Sequence, residues 1–164
     1  MDKNKENIGL ALGRIPSGLF IVTFYNNELN ETDGMLMSWV QQCSFEPPMV
    51  SIGIKKERKG LHLIEQAGHF VVNVMGKNNS GLISKFFKGG LGAAKFADMQ
   101  TSLSSATKGV ILQDAVAYLE CKLLSTTELA GDHNLFIGQV LNANLLSASS
   151  GEPSVHLRKN GYDY

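Results

Sequence analysis

The apolar positions of this chain fall into short runs that mostly follow a two-residue period. GLFIVTFY, from Gly18 to Tyr25, is rich in β-branched and aromatic residues and predicts a buried strand. MLMSWVQQ predicts a second strand, with Met35, Met37, Trp39 and Gln41 pointing one way and Leu36, Ser38, Val40 and Gln42 the other. Pro47 and Pro48 interrupt that ladder, and MVSIGIK resumes it. HFVVNVM is a further strand. AVAYLECKLLSTTEL and HNLFIGQVLNANLL are the two longest, joined through the turn AGD as a hairpin. VHLRKN adds a short last strand.

Helical spacing is confined to three places. Residues 5–14 predict a short amphipathic helix ending before Pro16. GLHLIEQAG places Leu61, Ile64 and Ala67 on one face and stops at Gly68. NSGLISKFFK sets Leu82, Ile83, Phe86 and Phe87 on one side of a short helix. The polar run NNELNETDG reads as a loop with a turn at Asp33-Gly34, and the Gly- and Ser-rich stretch from Gly89 to Gly109 as an irregular surface excursion. Strands dominate and do not alternate regularly with helices. The expectation is a mainly β fold, a closed or partly closed β-barrel with a few packed helices, in one domain over 1–164.

Composition narrows the function classes. A chain of 164 residues with 43% hydrophobic and 18% charged content is long enough for a real core and ordinary for a globular protein. Its formal net charge of zero gives no reason to expect nucleic acid or a membrane surface as partner. Cys43 and Cys121 are far apart and fit neither a zinc pattern nor a disulfide framework, so no metal site is expected. The first residues lack the apolar core of a secretory signal, and no apolar run approaches the ~20 residues that span a bilayer. These features suggest a soluble, cytoplasmic protein.

Local charge says more than global charge. Lys55, Lys56, Arg58 and Lys59 surround the single anion Glu57, a net of +3 over five residues. Neither a dinucleotide-binding Gly fingerprint nor a P-loop occurs, yet hydroxyls with ammonium and guanidinium groups can also hold phosphate. Ser38, Ser44, Lys55 and Arg58 supply that mix at the ends of neighbouring strands. The alternative for the same cluster is a solvated guard on an edge strand. Trp39, the only tryptophan, suits a core or interface position as well as a platform for a flat ligand. His133 follows Gly131-Asp132 in a turn, where it can reach a ligand or simply bond to Asp132. His62 and His69 read as packing or surface residues, and His156 is open.

The segments SGLFIVT, MLMSWVQQCSFEPP, KKER, FVVNVM, ILQDAVAYLECKL, GDHNLFIGQV and VHLRKNGYDY, in this order, resemble the flavin reductase-like family. Within it they are similar to the flavin reductase domains of cyanobacterial flavodiiron proteins and to clostridial NAD(P)H:FMN reductase domains. The resemblance implies an FMN-binding split β-barrel. It also implies a reductase that passes hydride from NADH or NADPH to flavin N5. It nominates Leu36, Met37, Ser38, Trp39, Cys43, Ser44, Phe45, Lys55, Lys56 and Arg58 for the flavin and its phosphate, with backbone N–H groups around Ser44 and Phe45 near the ring. It nominates His133 for placing the flavin ring or the nicotinamide. Relatives commonly carry small residues where this chain has Leu36 and Met37. A homodimer is implied, and a redox partner protein is compatible. The competing expectations are an FMN-binding electron-transfer module with little NAD(P)H activity of its own, and a cofactor-free interaction barrel.

Overall fold

The computed structural model describes residues 2–87, 92–146 and 151–163. Helix α1 (Lys3–Gly13) opens the chain, with the Asp2 carboxylate accepting the Asn4 N–H at 3.0 Å as its cap. Strands β1 (Ser17–Gly18), β2 (Phe20–Asn26), β3 (Glu31–Met37), β4 (Val40–Ser44) and β5 (Met49–Lys55) follow. Then come α2 (Gly60–Ala67), β6 (His69–Val74), α3 (Ser80–Ser84), β7 (Thr101–Leu103) and β8 (Val110–Leu112). The long hairpin β9 (Ala117–Glu128) and β10 (His133–Leu145) and the short β11 (Val155–His156) complete the order.

Seven strands form one antiparallel sheet in the order β3-β2-β6-β9-β10-β5-β4. Its edges, β3 and β4, are consecutive in sequence and separated only by Ser38 and Trp39. Three peptide units cannot span more than about 11 Å. Met37 on one edge and Val40 on the other must therefore lie close together, and the sheet curls into a barrel with a seam at Ser38-Trp39. The expected mainly β split barrel is the fold observed.

The barrel interior is filled from alternate positions of β5 (Val50, Ile52, Ile54) and from Val22, Phe24, Met35, Met37, Phe70, Val72, Cys121 and Phe136. Helix α2 plugs one end with Leu61, Leu63 and Ile64 and stops where Gly68 takes φ 66°. A second apolar cluster, with Ile21, Met75, Ile83, Phe86, Phe96, Val110 and Leu112, covers the outside of β2 and β6. Strand β2 is therefore buried on both faces, which is why GLFIVTFY shows no polar alternation.

One sequence expectation is corrected and another refined. The turn lies at 27–30, not at Asp33-Gly34: the Asn26 side chain accepts the N–H groups of Glu28 and Leu29, and Asn30 has φ 52°. Asp33 is instead fully buried within β3, where Lys95 Nζ reaches its Oδ1 at 2.9 Å and donates to the Gly34 carbonyl at 2.8 Å. A Cβ on Gly34 would sit 3.1 Å from the Phe96 ring, so the glycine there permits close packing rather than a turn. The stretch from 92 to 109 is largely exposed, a surface excursion as expected, but it is not irregular throughout. It clamps onto β3 through Lys95 and Phe96 and forms the β7-β8 ribbon. Residues 88–91 of that stretch lie outside the described residues.

Candidate functional site

The seam places a polar side chain where the sheet has no strand to pair it. Ser38 is 3% exposed, and its hydroxyl has no hydrogen-bond partner within the protein. Buried hydroxyls are normally satisfied, and an orphan costs about 1–3 kcal/mol. Two cavities meet at this residue. The larger, a cleft of about 1020 Å³, is lined by Ser38, Trp39 and His133, by Val40 to Gln42 of β4, and by β1 and the segment around β11. The smaller, about 400 Å³, is lined by Leu19, Leu36, Met37, Ser38, Arg58, Phe86, Phe87 and His156. Its walls are apolar and its polar groups few, the usual pattern for a small-molecule site.

Local structure decides where each basic side chain goes. After β5 the chain turns through an Arg58 N–H bond to the Lys55 carbonyl at 2.9 Å, and α2 begins at once. Arg58 swings back across β3 and donates from Nη1 to the Leu36 carbonyl at 2.9 Å, which leaves its other N–H groups for a ligand. Lys55 faces Glu57 at 3.2 Å. Lys56 bonds the Leu129 carbonyl at 2.7 Å and Glu128 at 3.2 Å, and its charge is directed at the β9-β10 turn.

That turn presents His133. The Lys56 N–H donates to the Asp132 carbonyl at 2.9 Å and holds the hairpin end against β5. His133 Nδ1 lies 2.8 Å from Asp132 Oδ1, the local bond considered from sequence. This bond holds the Asp132 carboxyl below the usual carboxylate range, with a smaller pull from Lys55. A carboxylate only accepts, so Nδ1 carries the proton and Nε2 is the nitrogen left for a ligand. The ring also packs on Trp39, centroids 4.4 Å apart and tilted by 41°. The Arg158 guanidinium lies 5.3 Å from the Trp39 centroid and donates to the carbonyls of Gly161 and Leu12, tying the C-terminal segment to α1.

The nominated residues thus fall into groups. Leu36, Met37, Ser38 and Arg58 share the smaller cavity, and Ser38, Trp39 and His133 share the larger. Cys43, Ser44 and Phe45 line a separate recess of about 350 Å³ with Gln41 and Gln42, where Phe45 is 88% exposed. Lys55 and Lys56 line none of the three and are held in ion pairs. Leu19, Phe86, Phe87 and His156 were not nominated yet line the smaller cavity. Only the two adjacent phenylalanines on a short helix hinted at this, and they read equally well as core. Among the described residues no cluster of His, Cys, Asp or Glu could hold a metal ion. Burial pushes the Cys121 thiol up to about 12, with Glu120 adding to the rise, so it is no nucleophile. Among the described residues no helix is long and apolar enough to cross a membrane.

Residues 12–163 match the family model described as flavin reductase like domain. "Putative diflavin flavoprotein A 6" of Nostoc sp. (strain PCC 7120) is 38% identical over 160 residues, covering 96% of this chain and 27% of the relative. "Diflavin flavoprotein A 1" of Synechocystis sp. (strain PCC 6803) is 37% identical over 156 residues, covering 94% of this chain and 26% of the relative. The chain therefore spans about a quarter of the length of these curated relatives. Among solved structures, the Streptomyces globisporus C-1027 NADH:FAD oxidoreductase SgcE6 superposes with a TM-score of 0.83 at 24% identity, over 98% of this chain and 92% of that one. The flavin reductase PheA2 does so with a TM-score of 0.75 at 24% identity, over 96% and 94%. At that identity the structural likeness speaks for the fold, and the sequence match carries the assignment: this chain belongs to the flavin reductase like domain family.

Proposed function

We propose that the chain binds FMN in the smaller cavity and admits NADH or NADPH through the larger cleft, as an NAD(P)H-dependent flavin reductase. The observation that carries this reading is the orphaned Ser38 hydroxyl, buried at the point the two cavities share. A ligand that accepts from it gives this buried hydroxyl the partner that the protein itself does not supply. The residues present fit a flavin: Leu36, Met37, Phe86 and Phe87 offer apolar faces, and Arg58 offers spare guanidinium donors for an anionic end.

Bound flavin supplies the redox chemistry, accepting hydride at N5 from a reduced nicotinamide. The protein's task is to hold two flat partners in register and keep water out. His133, held by Asp132 and tilted against Trp39, positions the nicotinamide from the larger cleft. No side chain need give or take a proton in that step.

The same reading takes the protein to work in the cytoplasm as a homodimer. Exposed Leu141 and Leu145 of β10 support an apolar contact with a second copy, which light scattering after size exclusion checks. A second reading is favoured by the length of the relatives: a module that passes electrons to or from a partner protein, with little NAD(P)H activity of its own. The deciding experiment is the visible spectrum of purified protein, extraction and identification of its flavin, and anaerobic addition of NADH or NADPH. Bleaching by either nicotinamide supports the reductase. A bound flavin that neither bleaches turns the assignment to the electron-transfer module, and a protein that takes up no flavin overturns both.

A further inference from the structure

The smaller cavity has a charge pattern that its place in the fold does not require. Two of its lining side chains can carry positive charge, Arg58 and His156, and none of the described lining residues carries a carboxylate. They come from distant parts of the chain. Arg58 sits in the turn between β5 and α2, and its guanidinium reaches β3. His156 is the last residue of β11, held in register opposite Ser17 of β1. The β1-β11 ribbon stands beside both cavities: Ser17, Gly18 and Val155 line the larger, whereas His156 lines the smaller. Alternation along a strand sends neighbouring side chains to opposite faces, so Val155 and His156 serve different cavities.

His156 is half-buried, and its imidazole has no hydrogen bond or ion pair to the described residues. The Ser38 hydroxyl in the same cavity is nine-tenths buried and more, and orphaned. An imidazole and a guanidinium with spare N–H groups on one small cavity, away from the junction at Ser38, form a donor pair for a tetrahedral anion.

We propose that His156 is a phosphate-binding residue of the flavin site, acting with Arg58 to select FMN over the uncharged riboflavin. This deepens the function proposed above and rests on it. Its content is the assignment of β11, through His156, to recognition of the phosphate. The β1-β11 ribbon thereby becomes a wall of the binding site.

The test is titration of wild type, His156→Ala and His156→Gln with FMN and with riboflavin, each followed by flavin fluorescence. Circular dichroism serves as the fold control. The glutamine variant keeps a donor and similar bulk if alanine fails to fold. Loss of one charge-assisted hydrogen bond is expected to weaken FMN binding about tenfold in the alanine variant and to leave riboflavin within about twofold. The glutamine variant should fall between. Equal weakening of both flavins means that His156 supports the ring or the fold, and overturns the assignment to phosphate. Unchanged FMN affinity in a folded variant, with wild type still binding FMN, overturns this proposal and leaves the flavin reading standing. Wild type that binds neither flavin overturns both together.

Discussion

Replacing Ser38 with alanine should move stability and affinity in opposite directions. The hydroxyl is buried with no partner in the protein, and a buried hydroxyl without a partner costs about 1–3 kcal/mol. Alanine removes that cost and leaves a methyl group against the apolar seam. Part of the gain is lost to the small void left behind, so the flavin-free variant should be equal to wild type or up to ~1 kcal/mol more stable. Flavin binding should weaken, because the hydroxyl's hydrogen bond is realised only in the complex. A neutral hydrogen bond is worth ~0.5–1.5 kcal/mol and one to a charged oxygen ~1.5–3 kcal/mol, so a loss near tenfold is expected.

The two effects can be read in one experiment. Urea unfolding without flavin gives the first sign. Unfolding at an FMN concentration about 100 times the wild-type Kd should stabilise wild type by ~2.7 kcal/mol, but a tenfold weaker variant by only ~1.4 kcal/mol. The ranking of the two proteins should therefore level or invert when flavin is added. A flavin-free Ser38→Ala protein that is more than ~1 kcal/mol less stable than wild type would refute the reasoning. So would FMN affinity unchanged within twofold.

His133→Ala should retain FMN but slow its anaerobic bleaching by NAD(P)H, by up to about 100-fold if the nicotinamide shifts by ~1 Å; wild-type bleaching at saturating nicotinamide would remove His133 from that role. Lys95→Met should cost about 3–5 kcal/mol in urea unfolding, because it strands the fully buried Asp33 carboxylate without its cation; a loss below ~1 kcal/mol would show the pair to be dispensable. In the native protein only the exposed Cys43 should react with a thiol reagent at neutral pH, and Cys121 only after unfolding. The Cys121 thiol also sets a pH dependence. Its stabilising effect is complete below the unfolded value near 9.0 and is lost as pH rises toward about 12, since the unfolded chain releases the proton first. Stability should fall with a slope of up to ~1.4 kcal/mol per pH unit in that window, and the slope should lessen in Cys121→Ala.

Most elements were legible because their periods are set by what they bury. Strand β5 alternates cleanly since one face meets the barrel core, and α2 shows its face because it plugs one end. The seam was not legible. The two-residue period runs unbroken from Met35 through Trp39 to Gln41, so the chain reads as one strand, yet barrel closure cuts it at Ser38-Trp39. A local pattern carries no information about which edges will meet. The Asp33-Gly34 turn failed for a similar reason. A buried aspartate needs Lys95, sixty-two positions away, and nothing near Asp33 announces it. Within the basic cluster, residue type could not separate Lys56 from Arg58. Register did so, by placing Glu128 and the Leu129 carbonyl beside Lys56 and the Leu36 carbonyl beside Arg58.

The seam also bears on why a site should form there at all. A sheet edge leaves backbone and side-chain polar groups without partners, and closing a barrel removes most of that cost. At Ser38 the closure is incomplete: the Trp39 carbonyl accepts from the Gly53 N–H at 2.9 Å, but the hydroxyl beside it is left over. The barrel keeps a defect costing a kcal/mol or so at the one residue that faces both cavities. Strain or dissatisfaction retained at such a place is what a binding site needs, because a ligand can relieve it. The arrangement separates roles that can be tested against each other. His156 belongs to the smaller cavity alone and should affect flavin affinity without affecting the reduction of bound flavin. His133 belongs to the larger alone and should do the reverse. Ser38 belongs to both, so a change there should weaken flavin binding and also disturb reduction of whatever flavin remains bound. If Ser38→Ala reduced its bound FMN at the wild-type rate, the two cavities would be functionally independent despite their common wall.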